Sequence, residues 1–371
     1  RDTLMTVGVG LTLTSSGVNE ITATAVCSDG SKTAPSAAIE VNYVVVPTPT
    51  RPTTVKCPGV AVGATFTLGG FTYTKRDRAG LLAIVADSSR WGELPNSCTT
   101  GVTDMSNMFF STAAINEDIS TWDTSAVVNM AGMFWGATAF NRDIGNWDTA
   151  LVLNMNAMFR NAAAFNQYIG SWNTAAVLNM GDMFRNAAAF NQAIGSWNTA
   201  AVTNMSFMFK GATAFNQAIG NWDTAAVLNM NAMFRDAAAF NRAIPTNVNR
   251  WNTALVADMA DMFYGATVFD QDISTWNTGA VTTMSRMFRD AVAFNNGNQA
   301  IATNVNRWNT ALVADMEDMF RNARAFNQDV HSWNTGAVLK MASMFRDAAA
   351  FNNGNQPLPT TVNGWDTRAV T

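Results

Sequence analysis

Seven basic side chains recur at one place in a repeating pattern: Arg160, Arg185, Lys210, Arg235, Arg289, Arg321 and Arg346 each follow a Met-Phe pair. Phe110, Trp135 and Tyr264 hold the same place in the other three repeats. If the repeats stack at the spacing of paired strands, neighbours in this column stand about 5 Å apart. Like charges at that distance repel by roughly 1–3 kcal/mol, depending on screening. Two arrangements would offset the repulsion. Local carboxylates such as Asp236, Asp290 and Asp347 can neutralise the column, or it can face an anionic partner such as a sulfated or carboxylated glycan.

A second polar column follows a recurring Phe: Asn116, Asn141, Asn166, Asn191, Asn216, Asn241, Asn295, Asn327 and Asn352, with Asp270 in its place once. A row that binds sugars or ions is conceivable, but the plainer expectation is a structural ladder of amides that satisfy buried backbone groups. The Asp/Asn-Thr pair after each repeat tryptophan reads as a turn device in the same sense. Asn204-Met205-Ser206 is the one glycosylation sequon, and its place beside a core methionine favours a structural role. Catalytic chemistry finds no foothold. The single histidine, His331, occupies a column where Gly145, Gly170, Gly195 and Gly220 sit, so an exposed turn residue is expected. No Ser or Cys nucleophile has a base at a telling spacing, and no Gly-rich loop opens a helix for phosphate. A non-catalytic protein without cofactor or metal is the expectation.

Tandem repeats must position these columns. Trp122, Trp147, Trp172, Trp197 and Trp222 follow one another at 25 residues, and Trp251, Trp276, Trp308, Trp333 and Trp365 continue at 25 to 32. Of 21 methionines, 20 fall in ten Met-x-x-Met-Phe motifs, so the period is no accident of composition. Such a period indicates a solenoid in which each unit buries its apolar residues against its neighbours. Apolar spacings of mostly three fit neither a long helix nor a long strand. They fit one coil of a mainly β, leucine-rich-repeat-like solenoid, with short strands on opposite sides joined by tight turns. One parallel ladder is expected over 140–145 and its equivalents, a shorter one over 127–130, and a corner at 134–137. The Met, Phe and Trp columns read as core rather than as a cofactor box, each large buried side chain contributing on the order of 2–3 kcal/mol.

The 371 residues carry a formal charge of −4 with only 13% charged side chains, which leaves Asn, Gln, Ser, Thr and Ala to cover the surface. No basic run suggests nucleic acid, and no stretch approaches the roughly 18–20 apolar residues of a membrane span. Residues 1–46 read as part of an all-β module, with strands expected over 6–13, 20–27 and 37–46. Residues 47–56 read as a Pro/Thr linker. Residues 57–100 read as a hairpin plus a helix N-capped by Asp77, a distinct unit to cover the open edge of the first repeat. Residues 101–371 hold the repeats, three of them lengthened near 245–250, 296–307 and 353–364. Arg1 and the partial repeat after Trp365 suggest that both ends are cuts in a longer chain. Cys57 and Cys98 bracket the unit before the repeats, where a disulfide would pin it, and Cys27 is left over. Disulfide usage and the linker together point outside the cell.

The segments 202–209 (Val-Thr-Asn-Met-Ser-Phe-Met-Phe) and 190–199 (Phe-Asn-Gln-Ala-Ile-Gly-Ser-Trp-Asn-Thr) resemble the bacterial surface protein 26-residue repeat. That family is also described as BspA-like or mycoplasma-lipoprotein-type leucine-rich repeats. Residues 1–46 resemble the end of an immunoglobulin-like surface module. The resemblance covers roughly 100–371, with Ile115 departing where other units have Phe. It implies a right-handed leucine-rich-repeat-type coil on secreted or surface-attached proteins, often adhesive, and carries over no catalytic residues. The function expected is a non-catalytic extracellular structural or adhesive scaffold, in a surface fibre or coat, with sister subunits or neighbouring domains as partners. The alternative is a carbohydrate-binding module that takes anionic glycans on the basic column and serves a larger secreted protein.

Overall fold

The structure is a computed structural model that describes the backbone of residues 17–21 and 39–43, and residues 50–244, 251–298, 308–330, 333–352 and 354 in full. The chain divides into two compact units, Arg1–Thr50 and Arg51–Thr371. In the first, β1 (Gly17–Ile21) pairs antiparallel with β2 (Ile39–Tyr43), from Gly17 opposite Tyr43 to Ile21 opposite Ile39. The pairing takes in Gly17, three residues before the expected strand start. The strand expected over 6–13, Cys27, His331 and most of the three insertions lie outside the described residues.

In the second unit, β3 (Thr65–Leu68) and β4 (Phe71–Lys75) form a hairpin across Gly69-Gly70. Both glycines have positive φ, 58° and 82°, which a two-residue turn matching the twist of its strands requires. Helix α1 (Arg78–Val85) starts where the Asp77 carboxylate accepts the Gly80 N–H at 2.8 Å, satisfying one of the helix's orphan donors. A 3-10 segment (Ser88–Asn96) follows, then β5 (Ser97–Cys98), parallel to β4. Cys57 and Cys98 are joined by a disulfide and pack with Val55 and Tyr73 in a small core of their own. The linker reading of 47–56 ends too late. The Arg51 guanidinium donates to the Pro95 carbonyl and to Asn96 Oδ1, both at 2.8 Å, and the Val55 N–H donates to the Thr121 carbonyl.

From Val102 onward the repeats stack, each on the next. Isolated parallel bridges run unbroken from Asp104↔Asn129 to Asp315↔Lys340. Most bonds lie in the Met-Phe segment, where a corner was expected. The N–H groups of Met130, Gly132, Phe134 and Gly136 donate to the carbonyls of Asn154, Asn156, Met158 and Arg160 at 2.8–2.9 Å. The residues between them close turns within the coil, Met133 N–H on the Met130 carbonyl and Trp135 N–H on the Gly132 carbonyl. Every second N–H therefore points along the stack.

That geometry needs two left-handed residues per repeat. One column is Asn107, Gly132, Ala157, Asp182, Phe207, Ala232, Asp261, Arg286, Asp318 and Ser343. The other is Ser111, Gly136, Asn161, Asn186, Gly211, Asp236, Gly265, Asp290, Asn322 and Asp347. The second column uses only Gly, Asn, Asp and Ser, the residue types that tolerate positive φ best or bond locally there. The first also accepts alanine, phenylalanine and arginine, at about 1–2 kcal/mol each. Its N–H groups enter the ladder between coils, and that offsets the cost.

Over 140–145 the ladder runs through side chains instead. Asn141 Oδ1 accepts the Asn166 N–H at 3.0 Å, and Gln167 Nε2 donates to both the carbonyl and Oδ1 of Asn141. The same link joins successive coils from Asn116 to Asn352, with Asp270 as an ordinary rung. Amide ladders of this kind belong to in-register parallel stacks.

The core fills the space inside. Trp172, Trp197 and Trp222 stack at 6.3–6.4 Å, and each indole N–H donates to an Ile carbonyl of the coil before. Phe134, Phe159 and Phe184 stack at 5.4–5.6 Å, and Phe140, Phe165 and Phe190 at 6.0–6.1 Å. The methionine pairs from Met105 to Met319 are buried between these columns. Trp122 finds its acceptor on the Leu94 carbonyl, and Leu81, Ile84 and Leu94 join the repeat core. Segment 51–100 thus presents to the first repeat what each repeat presents to the next.

Candidate binding strip

The residue after each Met-Phe pair lies between two ladder residues, so successive coils bring these side chains into one strip. The structure places Arg160, Arg185, Lys210, Arg235, Arg289, Arg321 and Arg346 there together, with Trp135 and Tyr264 in the same column. Except for Arg346, whose side chain is 60% exposed, the arginines are mostly covered.

Carboxylates interleave with them. Asp182 Oδ1 stands 3.0 Å from Arg185 and 3.7 Å from Arg160. Asp261 Oδ2 is 2.9 Å from Arg286 and 3.5 Å from Arg235, and Asp318 Oδ2 is 2.7 Å from Arg289 and 3.5 Å from Arg321. These three acids occupy the first left-handed column, three residues ahead of Arg185, Tyr264 and Arg321, and each stands beside two cations. Sequence reasoning named Asp236, Asp290 and Asp347 instead. They do contact Arg235, Arg289 and Arg346, at 3.5–3.7 Å. Asp182, Asp261, Asp318 and Arg286 were missed, because their column also holds Gly132, Ala157, Phe207, Ala232 and Ser343 and shows no consistent residue type.

Aromatic rings supply the rest. The Arg160 guanidinium lies 4.2 Å from the centre of the Trp135 ring, and Arg235 lies 4.4 Å from Tyr264. Phe207 takes Arg185 at 5.4 Å and Lys210 at 5.7 Å. Each such contact contributes on the order of 0.5–1 kcal/mol at a partly exposed site. Burial and then the charge of Arg185 push Arg160 below the ordinary arginine value, with Asp182 opposing them.

Lys210 differs from the rest. Among the described residues no carboxylate comes within ion-pair distance of it, and Arg185 and Arg235 flank it on the neighbouring coils. Burial first, then Arg235 and Arg185, lower its pKa, against a weaker pull from Asp236 and Asp261. The stretch from Arg160 through Arg185 to Lys210 thus holds three cations against the single carboxylate of Asp182. It can take an external anion, with the Phe207 ring beside it as an apolar platform.

The other candidates are structural. The Asn204 amide donates to Asn179 Oδ1 and accepts the Ser206 N–H, which ties the sequon into the stack. Among the described residues no group of three or more His, Cys, Asp or Glu is placed to hold a metal ion. No helix among them is long and apolar enough to cross a membrane.

No curated protein and no solved structure matches the chain. The family described as "Mycoplasma protein of unknown function, DUF285" matches residues 86–193, 167–247, 243–301 and 296–371, which overlap to span the repeats with the end of the segment before them. That span is more than half of the chain, and the chain belongs to this repeat family.

Proposed function

We propose that residues 101–371 are a right-handed leucine-rich-repeat-like solenoid of the BspA-like kind, preceded by the end of an immunoglobulin-like surface module. In this reading the protein is a non-catalytic structural or adhesive scaffold in an extracellular fibre or coat. The observation that carries it is the Asn ladder: one link is repeated from Asn116 to Asn352, so the chemically distinctive residues of every repeat go into joining it to its neighbours. The Cys57–Cys98 disulfide supports an oxidising compartment. Surface biotinylation of intact cells, with immunogold microscopy, tests the reading. Labelled protein in an external fibre or layer is expected, whereas protein found only in the cytosol, or a purified chain with enzymatic turnover, would end it.

A second reading has its own observation, the excess of cations at Arg160, Arg185 and Lys210. Here the chain is a carbohydrate-binding module for anionic glycans. Retention on a heparin column should then fall steeply with salt and be lost in Arg185→Ala/Lys210→Ala. Equal retention of wild type and variant would remove this reading and leave the scaffold untouched.

A further inference from the structure

A different face of the repeats is largely apolar and at least partly exposed along the stack, with Thr203 and Thr282 at two of its nine rungs. Val127 and its equivalents are buried, and the residues flanking each face outward, one exposed and in most repeats the other half-buried. Those outward positions are 126/128, 151/153, 176/178, 201/203, 226/228, 255/257, 280/282, 312/314 and 337/339. Every one is Ala, Val, Leu or Thr, with no charge, amide or proline among them. Val128, Leu153, Leu178, Leu228 and Leu339 are 39–52% exposed, and Leu151, Leu255 and Leu312 are 54–57% exposed. Backbone bonds run through the same line, Leu153 N–H to the Val128 carbonyl and Leu178 N–H to the Leu153 carbonyl. The strip is therefore continuous rather than scattered.

We propose that this face packs against the same face of a second copy of the chain. The inference deepens the scaffold reading and rests on it, since it names the surface through which sister subunits meet. Three observations select a second copy. The large side chains together offer on the order of 500 Å² of apolar surface, and the alanines between them bring the strip toward the roughly 800 Å² per partner of a standard interface. Soluble monomers seldom leave so long a strip uncovered. The strip also repeats at the spacing of the coils over nine rungs, and a partner that keeps register along it must share that spacing, as an identical chain does. Leucines alternate with alanines along it, as at 176/178 and 255/257, so the projections of one copy can seat in the hollows of the other.

Sedimentation velocity of the full chain over a range of concentrations tests this, beside Leu153→Glu/Leu178→Glu and the gentler Leu153→Ser/Leu178→Ser. Near-UV circular dichroism checks that the tryptophan stack survives, which the outward position of both leucines favours. Wild type should associate, the glutamate variant should dissociate at least 100-fold more readily, and the serine variant should fall between. Tyr168→Ser, at an exposed side chain outside this strip, should associate like wild type. If the glutamate variant assembles as tightly as wild type, copies meet elsewhere; the inference fails and the scaffold reading stands. A wild type that stays monomeric at high concentration also overturns it, and binding to phosphatidylcholine vesicles by that monomer would reassign the face to lipid. Association of a chain that labelling finds only in the cytosol would retire the scaffold reading and keep the interface.

Discussion

At Gly145, Gly170 and Gly195 the need for glycine comes from the next coil rather than from backbone freedom. A Cβ on Gly195 would stand 2.4 Å from the Ala218 carbonyl oxygen, and one on Gly170 would stand 2.5 Å from that of Ala193. Neither is at the end of a flexible side chain, so the coils themselves would have to part. Gly195→Ala should cost about 1–3 kcal/mol. Gly279→Ala should change stability by less than about 0.5 kcal/mol: Gly279 occupies a place where other repeats carry Ala150, Ala175 and Ala254. Urea unfolding of the two variants checks the contrast. Lys210 gives a second test. Its charged form is disfavoured in the fold, so the fold gains stability as pH rises from the lowered folded value to the ordinary value of about 10.4. Lys210→Met should remove that gain, and melting temperatures from pH 8 to 10.5 should rise relative to the variant in wild type only.

The joints between elements were only partly legible. Asp77 as an N-cap, the Gly-Gly hairpin and the pairing of Cys57 with Cys98 could be read because each rests on local chemistry. The ladder in the Met-Phe segment could not. It arises from alternating right- and left-handed residues, and Ala157, Phe207 and Ala232 give no residue-type sign of a positive φ. The interleaved acids escaped notice for the same reason, since they occupy that hidden column. At the joint between segment 51–100 and the first repeat, the disulfide closes a loop with a sequence separation of 41. Cys57→Ser/Cys98→Ser should cost about 4 kcal/mol by the chain-entropy estimate, read as a lower denaturation midpoint. Asp123 closes the same joint, accepting from Thr100 Oγ1 at 2.6 Å and Ser125 Oγ at 2.7 Å. Burial alone would raise its pKa, but these bonds, the Ser125 N–H and the charge of Lys56 bring it below the ordinary value. The stability it contributes is whole above about pH 3.9 and is lost as pH falls through the folded value. Asp123→Asn should therefore cost about 1–2 kcal/mol at pH 7, and the gap from wild type should close in acid.

For the whole molecule, the repeat period, the buried Met, Phe and Trp columns and the structural role of the Asn column were open to reading, because each repeats at a fixed place in the motif. The apolar outer strip was not. Alanines and leucines beside a core valine look like more core until the coil shows which way they face. The central claim is that all ten repeats share one unbroken core. Their methionines report on it repeat by repeat, because a buried thioether oxidises slowly and an exposed one quickly. Peroxide treatment of the native chain, followed by peptide mapping, is the most direct measurement. Met105 to Met319 should resist oxidation in the first nine repeats, with the less buried Met341 of the tenth reacting first, and all should react together once the chain is unfolded. Oxidation of Met180 and Met183 in the native chain as fast as in the unfolded one would contradict the account.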